Sequence, residues 1–385
     1  MATRNLYKQD GVDVEAGDSF SAHAGEVCRQ SWDNSPYVKV IDLADGHFRG
    51  VRSFKFHHLP RRYSLDMTSD GNGTKVVLTA MAGMYGSAAR DLLAMCNMDL
   101  TRNGGLGLVF NNVLDIATLG EPGSPIHQAF IELIEGLGEV ACRLGVVVFR
   151  GETAELSACI SSENPAAGVK FNWSGTMLGV YHRRLMITGE TLASGMLVMA
   201  LRERGFRANG ISSVRKALAM RFGVEWWANS EAMPYIQAAA EPSVLYDPFL
   251  QDLNGWHEPN FQPVVKIHGI VHLSGGAFEG KLGNDILFPR GLSAELDNLY
   301  NPPAIMRDCA DWRGLDDDEC YRTWNGGQGA LAVISPDDLS QFLKTATRYG
   351  IEAVCCGLIT KRDEPVIRIR SMFTPGTWVT YTATP

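Results

Sequence analysis

The chain has 385 residues, 45% of them hydrophobic and 20% charged, with a formal net charge of −8 and a pI near 5.6. That length exceeds what one hydrophobic core usually organises, so two lobes are expected. The composition excludes a disordered chain, the acidic balance argues against a dedicated nucleic-acid binder, and no apolar run approaches the roughly 20 residues needed to cross a bilayer.

Residues 1–35 are polar and read as a flexible arm, with "YKQDGVDVEAGD" near its start. "KVVLTAM" (75–81) reads as a strand, and 87–102 as a helix ended by Asn103-Gly104-Gly105, residues that tolerate the left-handed conformation after a helix. "LGLVFNNVLD" (106–115) is a second strand. From Ile126 to Leu144 apolar positions recur at three- and four-residue steps, which predicts an amphipathic helix with Pro125 at its start. "GVVVFR" (145–150) follows as a buried strand, and a strand-rich span, 168–188, closes the first half.

The second half, 189–385, opens with a strand and loop in "SGMLVMALRERG". "SSVRKALAMRFG" (212–223) predicts a helix with a Ser start and a Gly stop, and "VVKIHGIVHLSGGAF" (264–278) an apolar run ending in glycines. "SPDDLSQFLKTATRYG" (335–350) is a helix and "IEAVCCGLI" the strand after it. Both halves mix strands and helices, the first as α/β and the second as α+β.

Eight cysteines are scattered without a Cys-x-x-Cys pair, and no signal peptide stands at the N-terminus. They read as reduced, packed thiols of a cytoplasmic protein, and zinc is not expected. The one dense basic cluster, "FHHLPRR" (56–62), reads as a solvated loop, with an anionic small molecule as the alternative.

"DGNGTK", Asp70 to Lys75, is not a P-loop, because that motif needs four residues between its glycines and a Gly-Lys-Ser/Thr ending. It is either an ordinary turn or a loop whose backbone N–H groups converge on an anion, with charge from Lys75 and a magnesium ligand in Asp70. Asp99 falls on the inward face of its helix, where a carboxylate needs a cationic partner or a metal. Glu152 and Glu155 come just past a strand end, where ligands of α/β sheets commonly bind. Asp70, Asp99 and Glu152 are therefore a candidate magnesium set. Asn209-Gly210 precedes a helix whose first N–H groups either receive a phosphate or take an ordinary cap. His272 stands beside Gly275 and Gly276, as a hydrogen-bonded structural residue or a proton-transfer group.

In order along the chain, "YKQDGVDVEAGD", "DGNGTK", "LLAMCNMDL", "GETAE", "NGISSVRK", "HLSGGAF" and "YRTWNGGQGA" resemble the phosphoribosylformylglycinamidine cyclo-ligase (aminoimidazole ribonucleotide synthetase) family. The resemblance implies a two-lobed ATP-binding fold, an N-terminal-lobe sheet that forms a homodimer interface, and ATP with Mg2+. The implied reaction is closure of formylglycinamidine ribonucleotide to aminoimidazole ribonucleotide in purine biosynthesis. By position it implies Lys8, Lys75, Arg207 and His272 as catalytic residues. Asp70, Gly71, Gly73, Thr74, Lys75, Asp99 and Glu152 would hold nucleotide and metal, and Thr153, Asn209, Gly210, Ser274, Gly275 and Gly276 the substrate.

The chain departs from the family where Phe206-Arg207-Ala208-Asn209-Gly210 replaces Leu-His-Ser-Asn-Gly, where Met98-Asp99 replaces Asn-Asp, and where Arg150 replaces glycine. Arginine holds phosphate but does not act as a base. These departures leave open a silent ATP-binding homologue or another phosphorylating member of the same superfamily.

Overall fold

A computed structural model describes residues 14–43 and 51–383. The chain forms two compact units, one of residues up to Asn97 with Gly107–Val180, the other of Met98–Leu106 with the chain from Tyr181 onward.

In the first unit, helix α1 (Val14–Gln30) precedes an antiparallel pair, β1 (Val38–Asp42) and β2 (Arg52–Phe56). Strand β3 (Tyr63–Gly71) leads through a turn into helices α2 (Lys75–Ala82) and α3 (Ala88–Thr101). Strand β4 (Leu106–Ile116), helix α4 (Pro125–Leu144), β5 (Val147–Glu155) and β6 (Phe171–His182) complete a four-stranded sheet of order β3-β6-β4-β5. Strands β4 and β5 are parallel, which requires a crossover, and α4 supplies it. Ser124 caps that helix by accepting from His127 N–H, Pro125 occupies its first position, and Gly145 stops it at φ +67°. Phe130, Leu133, Leu137, Val140 and Leu144 bury the predicted stripe.

Three expectations are revised in this unit. The described part of the N-terminal segment is not an arm: α1 buries Phe20 and Val27, and Ser31 Oγ, in the turn after it, accepts from Val148 N–H of β5 at 2.8 Å. The run 75–81 is a helix, not a strand. Lys75, Val76, Leu78 and Thr79 are its buried positions, and Gly83 ends it in the left-handed conformation; a short apolar run does not declare its period. Strand β5 extends through Glu155, so Glu152 lies on the strand instead of beyond it.

The second unit is built on a seven-stranded sheet of order β13-β12-β9-β11-β7-β10-β8. These are β7 (Leu197–Arg202), β8 (Ile267–His272), β9 (Ser293–Leu296), β10 (Gln328–Ile334), β11 (Ala353–Thr360), β12 (Val366–Arg370) and β13 (Trp378–Thr382). The pairing is antiparallel except between β12 and β9. Helices α5 (Ile211–Phe222), α6 (Met233–Ala239), α7 (Asp247–Leu253), α8 (Ala304–Arg313), α9 (Asp317–Thr323) and α10 (Leu339–Arg348) surround it. The central strands are buried on both faces: Val198 and Ala200 of β7 join one core, Met199 and Leu201 the other. Such strands read as continuous apolar runs. All eight cysteines are free, but Cys142 and Cys159 are exposed, so the packed-thiol expectation fails at those two.

Candidate functional site

The turn between β3 and α2 carries the "DGNGTK" residues. Asn72 is buried, receives no solvent, donates Nδ2–H to Ala88 O at 3.0 Å and its backbone N–H to Trp173 O at 3.0 Å. Gly71 packs so closely that a Cβ would stand 2.9 Å from Trp173 O, whereas Gly73, at φ +53°, faces open space. Gly73 and Thr74 are exposed, and among the described residues no carbonyl accepts their backbone N–H groups. The turn thus offers two free donors at a helix start, an arrangement suited to an anion.

Lys75 does not face that anion. Its ammonium is fully buried, 2.8 Å from Asp91 Oδ1, and the pair ties α2 to α3. The lysine expected to supply charge to phosphates is thus paired with Asp91 in the structure. Asp91 lies sixteen residues along, at a spacing that carries no local signal. Lys8 lies outside the described residues.

The candidate magnesium set does not assemble. Asp70 ends β3 and Glu152 lies on β5, at opposite edges of the four-stranded sheet. Three strand spacings separate them, about 14 Å, so one ion cannot bind both within a chain. Asp99 belongs to the other unit, and among the described residues no group of three or more His, Cys, Asp or Glu side chains is placed to hold a metal. Glu152 and Thr153 instead border a cavity of about 340 Å³ with Asn112, Phe149, Trp32 and Arg52 in its wall. Arg150, the departure next to them, lies over the Phe149 ring with its guanidinium 5.4 Å from the centroid.

In the second unit, Asp99 meets His272 at the end of β8: Oδ1 is 3.5 Å from Nδ1, and Arg102 Nη1 is also 3.5 Å from Asp99 Oδ1. His272 is 1% exposed, and its Nε2 has no hydrogen-bond partner among the described residues. Burial pushes its pKa down to about 4 against the raising effect of Asp99, so the imidazole is neutral at pH 7. Burial pushes the Asp99 carboxyl up, but His272 and the charge of Arg102 outweigh it and leave it lowered. The last turn of α3 that carries Asp99 is held by Thr101, whose hydroxyl donates to the buried Asp247 at 2.7 Å and accepts from Gln251 at 3.1 Å.

Beyond His272 the chain turns through Ser274, Gly275 and Gly276; the two glycines are exposed, and Gly276 adopts φ +83°. Arg207 is placed elsewhere in character. It is 1% exposed, adopts φ +55°, and donates Nη1–H to Glu203 Oε2 at 2.9 Å and to Val244 O at 3.2 Å. Arg207, expected as a catalytic or phosphate-facing group, stands in a core ion pair with Glu203, four residues earlier, and its charge acts on His272. Gly210 caps α5 at φ +66°, and a Cβ there would stand 2.5 Å from Trp324 Cδ1, so it serves close packing. Asn209 is half-buried beside it.

The geometry has relatives. Residues 55–181 match the AIR synthase related protein N-terminal domain, and residues 193–370 the corresponding C-terminal domain. A phosphoribosylformylglycinamidine cyclo-ligase of Pseudothermotoga lettingae is 25% identical over 94% of this chain and 98% of its own. One from Myxococcus xanthus is 28% identical over 92% and 95% respectively. Among solved structures, a thiamine-monophosphate kinase from Stenotrophomonas maltophilia superposes with a TM-score of 0.58 at 14% identity, covering 90% of this chain and 95% of that one. No helix among the described residues is long and apolar enough to cross a membrane. With both domains matched in order across most of its length, the chain belongs to the AIR synthase related family.

Proposed function

We infer that this chain is an ATP-dependent cyclo-ligase that closes formylglycinamidine ribonucleotide to aminoimidazole ribonucleotide, releasing ADP and phosphate, in purine biosynthesis. The observation that carries the reading is the reach of the likeness: the cyclo-ligases align with both units and nearly from end to end. In that reaction a phosphoryl group passes from ATP to the substrate's amide oxygen, an internal nitrogen attacks the same carbon, and the C–O bond breaks with phosphate as leaving group. Phosphate departs readily where an amide oxygen does not.

Several roles follow for the chain's own residues. The N–H groups of Gly73 and Thr74 receive nucleotide phosphate oxygens, with Lys8 as a further cation. Mg2+, when bound, neutralises phosphate charge; since the three carboxylates do not gather, its protein ligand reduces to Asp70, consistent with an ion held by one or two carboxylates plus phosphates. The Ser274–Gly276 turn holds a substrate oxyanion. His272, neutral and aligned by Asp99, accepts a hydrogen bond that orients the substrate, because a pKa near 4 makes it a weak base.

A homodimer fits the edge strand β3, which leaves Tyr63, Leu65 and Met67 exposed at 41%, 52% and 65%. Exposed apolar edge strands invite pairing with another chain. A cytoplasmic location is the reading that goes with work on ATP and a ribonucleotide.

Purified protein with ATP, magnesium and formylglycinamidine ribonucleotide should yield ADP, phosphate and aminoimidazole ribonucleotide in equal amounts. Absence of product with enzyme at substrate concentration would overturn the reading.

A further inference from the structure

The last turn of α3 carries Asp99, and the chain leaves it through Arg102 and Gly104. Residues of 247–256 fasten that turn at two points. Asp247 and Gln251 stand four residues apart on α7, so both side chains leave one face of the helix. They meet at a single hydroxyl: Thr101 Oγ1 donates to Asp247 Oδ1 at 2.7 Å and accepts from Gln251 Nε2 at 3.1 Å. Just past α7, Asn254 Nδ2 and Trp256 Nε1 both donate to Gly104 O, at 3.3 and 2.9 Å. Gly104 adopts φ +82° with no room for a side chain, since a Cβ would stand 1.9 Å from Leu185 O. The rotation of the turn about the helix axis is thereby fixed.

Folding alone does not require this arrangement. Thr101, Asp247 and Gln251 are buried, on the helices that supply Met98, Phe249, Leu250 and Leu253 to an apolar core. Apolar side chains of similar size at the three positions would give a more stable contact, because burying a carboxylate and an amide carries a desolvation cost that hydrogen bonds only offset. What the polar contact adds is direction, since a hydroxyl held from both sides fixes an orientation that apolar packing leaves free. The atom so placed is Asp99 Oδ1, which stands 3.5 Å from His272 Nδ1 and 3.5 Å from Arg102 Nη1. A carboxylate at Nδ1 favours the tautomer with its proton there, which leaves Nε2 as an acceptor. That Nε2 is buried without a hydrogen-bond partner among the described residues.

We propose that Asp247, Gln251 and Thr101 are positioning residues: through the Thr101 hydroxyl they set the last turn of α3 so that Asp99 meets His272 Nδ1 and fixes the tautomer of the ring. Their effect on rate rests on the cyclo-ligase reading, whereas the state of the ring does not. A misplacement of about 1 Å costs on the order of a hundredfold in rate, so the smaller shift on loss of one hydroxyl should cost about tenfold.

The test is Thr101→Val, which keeps the shape of the side chain and removes its hydroxyl. Nitrogen NMR of the full chain labelled at histidine, with the His272 signals assigned by their loss in His272→Gln, should find the parent ring as the Nδ1–H tautomer with an unprotonated Nε2. In Thr101→Val the ring should be a mixture of the two neutral tautomers. There kcat should fall about tenfold while KM for ATP stays within about twofold. Thr101→Ser restores the hydroxyl and should return both signatures to those of the parent. Far-UV circular dichroism checks folding; if Thr101→Val does not fold, Gln251→Met, which removes one of the two bonds, should give the same mixture with about a threefold loss of kcat. A single Nδ1–H tautomer in the folded variant, or a mixed tautomer at unchanged kcat, would sink the proposal. If the parent turns over no substrate, the tautomer alone decides the positioning, and the cyclisation reading fails separately.

Discussion

Replacing Arg207 with methionine separates a structural from a catalytic guanidinium. The parent side chain is paired with Glu203 at 2.9 Å, both being about 1% exposed, and lies over Tyr246 with Cζ 5.4 Å from the ring centroid. Arg207→Met keeps most of the volume but leaves the Glu203 carboxylate in the core without its cation. Removing one partner of a buried pair costs about 3–5 kcal/mol. The Arg204 and Val244 N–H groups and the Tyr246 hydroxyl still donate to Glu203, at 3.0 to 3.3 Å, which places the loss near the lower figure. The Glu203→Gln/Arg207→Met double variant, with no charge left to strand, should recover about half of it. Urea unfolding measures the loss, and the cyclisation rate per folded molecule should stay within about threefold of the parent, a barrier change under 1 kcal/mol. A variant that unfolds within about 0.5 kcal/mol of the parent yet loses a hundredfold in rate would refute the core-pair assignment.

Asp247 is buried with its carboxyl pushed up to about 6 by desolvation. The folded state therefore holds that proton more tightly than the unfolded state, and the contribution to stability falls as pH rises from about 4 to about 6, by about 2–3 kcal/mol. Asp247→Asn should remove this slope and raise stability at pH 7. His272 has the opposite sign: its pKa is depressed from 6.5 to about 4, so its contribution is full above pH 6.5 and lost as pH falls toward 4. The two slopes oppose in the parent, so stability that rises with pH between about 4 and 6.5 should emerge in Asp247→Asn; a flat profile in that variant would contradict the assignment. NMR titration should find the His272 ring neutral down to about pH 4, whereas a midpoint near 6.5 would mean the ring is solvated. At the β3 edge, Leu65→Lys with Met67→Lys should convert a dimer into monomers by sedimentation at unchanged thermal midpoint, and an unaltered dimer would place the interface elsewhere.

Local patterns carried much of the fold. The Ser124-Pro125 start, apolar stripe and Gly145 stop of α4 are short-range physics, and so are α3, β4 and α5, because period, caps and breakers act within a few residues. The run 75–81 failed for the same reason: seven residues with two adjacent valines satisfy either period, and burial against the rest of the first unit made the choice. The site was legible in part. The exposed glycines of both turns lie in motifs the sequence singled out, while Asp99 and His272, singled out separately, meet only in the structure.

What the sequence determined by itself is the family, the elements with strong local period and caps, and the glycine turns, since ordered motifs and backbone permissiveness do not need distant partners. Only the tertiary structure decided what each charge does. Lys75 and Arg207 looked like free cations and are spent on Asp91 and Glu203. Arg102, Lys281 and Arg290 drew no notice in the chain and meet in one cavity. Asp70 and Glu152 looked like joint ligands and stand at opposite edges of a sheet. A side chain's charge acts over a few ångströms of space, and distance along the chain does not report that separation.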